Sequence, residues 1–154
     1  MKNLVLISMF VSMLVLTFSC KKDDKAAAGN SLSAKVEGTL WTSTVVMASH
    51  STAANLTSII AAGNSATEQI GLNFVGAATG TYHLGDSNMG MASVGNKTFS
   101  SLMSDAPVGE IVITKYDATK MLISGTFSFK GEDIDGTVYN VTEGSFNDVT
   151  LTIN

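Results

Sequence analysis

The chain has 154 residues, 45% apolar and 14% charged, which suits one globular domain rather than two. Nine Lys, no Arg and thirteen Asp plus Glu give a net charge of −4, and a chain with no basic stripe is not built to grip a phosphate backbone, so nucleic acid is excluded as a partner. A single Pro and a single Cys exclude collagen-like and disulfide-stapled scaffolds.

The N-terminus opens on Lys2, followed by an apolar run from Leu4 to Phe18 broken by Ser8, Ser12 and Thr17, and then Ser19-Cys20. A bilayer span needs about 20 apolar residues, so residues 1–19 are expected to be a removed secretory signal. Ser19 is the small residue that a lipoprotein signal peptidase needs before the Cys it exposes, so Cys20 is the expected lipidation site. The match to a bacterial lipobox is loose, with Thr17 where an aliphatic residue is usual and Leu16 one place further out. Acyl chains contribute about 0.8 kcal/mol per buried methylene, and two or more chains anchor stably.

Residues 20–31 are small and polar after Lys21-Lys22-Asp23-Asp24-Lys25 and read as a flexible tether. Lys22, Asp23 and Asp24 resemble the export signal that sends Bacteroidetes lipoproteins to the outer face of the outer membrane. Loss of Lys2 with the signal leaves eight Lys against thirteen acids. Such an acidic body is not drawn to anionic headgroups, so membrane attachment is expected to rest on the lipid.

From residue 32 to 154 the pattern is that of an all-β domain, an antiparallel sandwich or, as the alternative, a barrel, with about ten strands. Period-2 runs bounded by Gly, Asn, Asp and Ser recur at short spacing without a 3.6-residue period. Strands are predicted at Ser33–Glu37, Leu40–Ala48, Thr57–Ala62, around Ile70, Leu72 and Phe74, at Thr81–Leu84 and at Met89–Val94. The run holding Ile111 and Ile113 stops at Tyr116-Asp117-Ala118-Thr119, a hairpin turn into the strand Lys120–Phe129. Strands at Thr137–Thr142 and Val149–Ile153 complete the set, with Gly38, Gly85, Gly131 and Gly144 as turn markers. Gly125-Thr126-Phe127 and Gly144-Ser145-Phe146 echo each other but are too short for an internal repeat. Residues 85–107 carry the weakest strand signal.

The string Ser33-Ala34-Lys35-Val36-Glu37-Gly38-Thr39-Leu40-Trp41 resembles the opening of a family of small Bacteroidetes lipoproteins whose domain has no known function. Gly80–Leu84, Gly109–Asp117, Ile123–Phe129 and Thr142–Phe146 extend the resemblance across most of the mature domain. It implies an exported, membrane-anchored all-β domain and supplies no catalytic residues.

Asp133 and Asp135, with Glu132 and Gly136, form the densest acidic cluster and are weak candidates for calcium. An EF-hand register fails, because Gly131 would fall at the first ligand position and Thr142 at the bidentate Glu; a solvated hairpin loop explains the same residues. The two histidines, His50 and His83, have no nucleophile elbow to serve, and two distant imidazoles do not assemble a zinc site. No cofactor is expected. Trp41, Tyr82, Tyr116 and Tyr139 are candidates for a sugar-stacking platform, although Trp41, just after a turn, is as simply a core residue between two sheets. Met89, Met91 and Met103 fill gaps or make an adaptable surface. The Asn-x-Thr sequons at Asn55, Asn96 and Asn140 have no force in a bacterial lipoprotein.

The expectation is therefore a non-enzymatic, lipid-anchored binding or accessory module of the outer membrane that faces outward and meets a glycan or a surface protein complex. The alternatives are a carboxylate-dependent glycan hydrolase and a purely structural envelope protein.

Overall fold

A computed structural model describes residues 29–154 apart from Ala66, Asp86 and residues 105–107. Its strands are β1 (Ser31–Val36), β2 (Thr39–Thr42), β3 (Val45–Ser51), β4 (Leu56–Ala62), β5 (Gln69–Val75), β6 (Gly80–His83), β7 (Met89–Val94), β8 (Lys97–Ser100), β9 (Gly109–Asp117), β10 (Leu122–Glu132) and β11 (Val138–Ile153). A single 3-10 turn at Ser101–Met103 interrupts them, so among the described residues the fold is all-β.

All eleven strands belong to one sheet, in the order β2-β1-β11-β3-β4-β5-β7-β8-β10-β9-β6, which closes on itself where β10 also pairs with β11. Every pairing is antiparallel except one: the end of β11 lies parallel to β3 over Leu151↔Ala48, Thr152↔Ser49 and Ile153↔His50. The closure between β8 and β10 is a single pair, Ser100↔Glu132. With so thin a closure the sheet is better described as two facing layers, sandwich-like, than as a barrel. Gly90 of β7 shows the two layers meeting, since a Cβ there would come within 2.6 Å of the Phe129 ring of β10.

Inward positions follow the pleat. In one layer Val46, Ala61, Ile70, Ala92 and Phe99 form a continuous cross-strand row, each buried and each opposite the next. In the other, Leu32, Val36, Ile111, Ile113, Ile123, Phe127, Phe129, Val141, Phe146 and Val149 fill the facing side.

Strand β11 explains where the sequence pattern misleads. Its sixteen residues would run about 53 Å if straight, too long for a domain of this size, and two bulges bend it. Between the pairs Phe127↔Gly144 and Phe129↔Val141, and again between Ile123↔Val149 and Gly125↔Phe146, β11 holds one residue more than β10. Glu143 (φ 51) and Asp148 (φ 46) fall in these two intervals in the left-handed region, as bulges of this type require. Each extra residue resets the alternation, so the buried positions run Val141, Gly144, Phe146, Val149 and Leu151. A strict period of 2 breaks twice, which is why the sequence suggests two strands where there is one. Conversely, the predicted strand Leu40–Ala48 is cut into β2 and β3, because Ser43 and Thr44 turn to bond Leu32 and Ala62 through their backbone N–H groups.

Gly131 and Gly144 are strand positions, not the turns expected of them. Gly144 lies opposite Phe127, and Gly125 lies opposite Phe146. A Cβ on Gly144 would stand 2.5 Å from the Phe127 carbonyl oxygen and 2.7 Å from its ring, and one on Gly125 would stand 2.3 Å from the Val112 carbonyl oxygen and 2.6 Å from the Phe146 ring. The two Gly-x-Phe echoes thus pair in antiparallel register, each glycine receiving the other strand's phenyl ring.

Filling that space is expected to be costly. Gly125→Ala and Gly144→Ala should each lose about 2–3 kcal/mol by overpacking, whereas Gly85→Ala, with nothing within 4 Å of the added carbon, should stay within about 0.5 kcal/mol. Urea titrations of the three variants check this; equal losses at all three sites would contradict the reading.

Candidate functional site

Trp41 projects inward from β2, opposite Ala34, and is 6% exposed. Its neighbours come from the β4–β5 connection, where Gly63 donates its N–H to the Glu68 carbonyl at 2.8 Å and closes a tight loop. The absence of a side chain on Gly63 makes room, since a Cβ there would meet Glu68 Oε2 at 2.7 Å and Trp41 Cζ2 at 3.1 Å. Around this contact lies an open depression of about 270 Å³ lined by Val36, Thr39, Leu40, Trp41, Thr42, Asn64, Glu68 and Val94. Among the described residues the buried indole Nε1–H of Trp41 has no hydrogen-bond partner, and an unmet buried donor costs roughly 1–3 kcal/mol. Hydroxyls, an amide and one carboxylate around an apolar floor suit a small ligand rich in hydroxyl groups.

The three tyrosines are each committed elsewhere. Tyr82 packs its ring on Phe74 with centroids 4.4 Å apart, and its hydroxyl donates to the Ala78 carbonyl at 2.9 Å. Tyr116 meets His50 edge-on at 6.5 Å, and burial pushes its phenol pKa up, with the nearby Tyr82 adding to it. Tyr139 stacks on Phe99 at 4.8 Å, carries Lys97 Nζ over its ring at 4.8 Å and donates to Asp133 Oδ2 at 3.1 Å. With Trp41 on β2 and the tyrosines on β6, β9 and β11, the four rings do not form one platform.

Asp133 is occupied by its own turn. Its Oδ1 accepts the backbone N–H groups of Asp135 and Thr137, each at 2.9 Å, which ties the 132–137 loop. Among the described residues no three His, Cys, Asp or Glu side chains gather as metal ligands. His50 is buried, its Nδ1 3.0 Å from the Thr57 hydroxyl. Because that hydroxyl donates its one proton to the Gly76 carbonyl at 2.5 Å, Nδ1 must carry the hydrogen. His83 is exposed, 3.8 Å from Glu110. The hydroxyl that His50 reaches, that of Thr57, therefore accepts from the imidazole and does not give its proton to it. Cys20, Lys22, Asp23 and Asp24 lie outside the described residues.

Charge is distributed unevenly between the two layers. On the outer side of β1, β9 and β11, Lys35 pairs with Glu143 and Lys115 with Asp148, both at 2.7 Å. The outward positions of β3, β4, β5 and β7 hold no ionisable group. Of this face, sequence reasoning singled out Met89 and Met91 alone, and it passed over Asn64 and Glu68, which sit in a short loop without a motif.

The family-model match covers residues 29–150, and the chain belongs to that family, described as a domain of unknown function (DUF6252). Neither curated proteins nor solved structures gave a match.

Three carboxyls fix the pH response. A hydrogen bond from Lys115, aided by Ser124, holds Asp148 below its ordinary pKa against burial; the Thr137 backbone does so for Asp133, and the Asn140 backbone for Glu37. Folded pKa values below the unfolded ones mean that the unfolded chain binds more protons. This contribution is complete above the unfolded values near ~4 and is lost as pH falls through the folded ones. Urea midpoints should therefore drop below about pH 4, and Asp148→Asn should flatten part of the drop. Midpoints that rise on acidification would contradict the assignment.

Proposed function

We propose that this chain is a lipid-anchored lipoprotein of the outer membrane, of the Bacteroidetes kind, facing outward and held by acyl chains on Cys20. Its β domain is a non-catalytic binding module, and the ligand it takes is a neutral, hydroxyl-rich group such as the end of a glycan. The observation that carries the binding role is the Trp41 depression, where threonine hydroxyls, the Asn64 amide and the Glu68 carboxylate surround an apolar floor. A sugar offers an apolar face to such a floor and hydroxyls to such polar groups.

The composition of the depression favours binding over hydrolysis. Glycoside cleavage uses a pair of carboxylates flanking the bond, and Glu68 is the sole carboxylate lining this space. Anchoring rests on the Ser19-Cys20 junction, and export to the outer face on Lys22, Asp23 and Asp24.

Two measurements test the reading. Metabolic palmitate labelling should mark the full chain and not Cys20→Ser, and protease treatment of intact cells should remove the domain. Trp41 is the only tryptophan, so its emission reports directly on the depression. Titrating the detergent-solubilised full chain with neutral oligosaccharides should shift that emission, and Glu68→Gln should weaken the response about tenfold, the scale of one lost charge-assisted hydrogen bond. An unresponsive emission across the oligosaccharide set would overturn the binding role and leave a structural one.

A further inference from the structure

The strands β3, β4, β5 and β7 turn fifteen positions outward: Val45 through Ser51, Leu56 through Ala62, Gln69 through Val75 and Met89 through Ser93, taken at every second residue. Not one is acidic or basic, in a chain with thirteen acids and nine lysines. Across the middle runs an apolar row, Met47↔Ile60↔Gly71↔Met91. Met47 is 58% and Ile60 50% exposed, while the Met91 side chain lies over Gly71, its Cγ 3.0 Å from where a Cβ would stand. Beside the row a hollow of about 220 Å³ opens between Leu56, Asn73, Met89 and the exposed Leu102. Surface apolar side chains are common singly, but a contiguous uncharged patch of this kind marks an interaction site.

We propose that this face is where a second copy of the chain docks, the two charge-free faces packing on each other about a two-fold axis. Charge argues for that occupant. Two copies of an acidic chain repel, and bringing these two faces together packs strands whose outward positions carry no ionisable group. An isologous contact also demands a patch complementary to itself, and a sheet face bearing both an exposed apolar row and an adjacent hollow offers the two halves of such a fit. Size agrees as well. Four strands about 4.8 Å apart and seven residues long at ~3.3 Å each give a patch of roughly 20 by 23 Å, so two copies bury on the order of 1,000 Å², the lower bound of a specific interface. The contact is therefore reversible. It is separate from the Trp41 depression and stands whether or not that depression takes a sugar.

Cysteine crosslinking tests it in cells making the full chain. Ile60→Cys, treated with a flexible bis-maleimide, should give a product of twice the chain's mass, which the parent chain does not give. Thr126→Cys, exposed on the outer side of β10, serves as the control and should stay monomeric. Adding Met47→Lys to Ile60→Cys should cut the dimer about tenfold by placing like charges in the contact. Four outcomes overturn the proposal: no crosslink at Ile60→Cys, as much dimer from Thr126→Cys, no effect of Met47→Lys, or a product whose mass shows a different protein on this face.

Discussion

Two glycines and two phenylalanines, exchanged across the seam between β10 and β11, set the frame to which every other strand attaches. Phe127 lies over Gly144 and Phe146 over Gly125. A slip of one residue would set Phe127 against a residue with a Cβ and turn the inward side chains of a whole strand outward. From this seam β1 and then β2 extend on the free side of β11, and β9 and then β6 extend from β10. The end of β11 reaches past β1 to pair with β3 and so starts the second layer. The bulges at Glu143 and Asp148 are what allow one strand to serve both layers. Asp148 secures its bulge by accepting from Ser124 and Lys115 while its own N–H donates to the Ser124 hydroxyl at 2.9 Å.

Because the core is closed by backbone register and phenyl rings, the outer surfaces are free to differ. One layer spends its outward positions on paired charges and hydroxyls, the other on methionine, isoleucine, valine, serine and amides. The polar groups of the loops are mostly engaged in holding turns, as with Asp133 and Glu37. Trp41 stands apart, a large buried side chain that lines a depression and whose buried N–H finds no partner among the described residues. The proposed roles of this domain therefore rest on two surfaces.

Much of the fold is visible in the sequence where the alternation is unbroken. β4, β5, β7 and β9 fall close to where period-2 runs place them, and the all-β class follows from them. Residues 85–107, the weakest stretch, hold β8 and the 3-10 turn at Ser101–Met103, both too short to show a period. β11 is hidden because a bulge adds a residue and shifts the phase, so Val141, Gly144, Phe146 and Val149 look like ends of separate strands. Gly144 looks like a turn because a glycine that receives a neighbouring phenyl ring cannot be told by sequence from one that needs a positive φ. The echo of Gly125-Thr126-Phe127 in Gly144-Ser145-Phe146 carried the missing information, as a pairing rather than a repeat. Of the aromatic candidates, Trp41 stays at a cavity while each tyrosine is tied to a core or loop partner, Tyr82 to Phe74 and Ala78, Tyr116 to His50, and Tyr139 to Phe99 and Asp133. Asn64 and Glu68 gain their place only through Gly63, whose missing side chain brings the loop against the indole.

Native-state hydrogen exchange on the full chain tests most directly whether the β10–β11 seam carries the fold. Amides are protected in proportion to the free energy needed to open them, so those of Ile123–Phe129 and Val141–Val149 should exchange last, at the rate set by global unfolding. Slower exchange in β3, β4 and β5, with the seam opening first, would contradict the account and place the organising contact in the other layer.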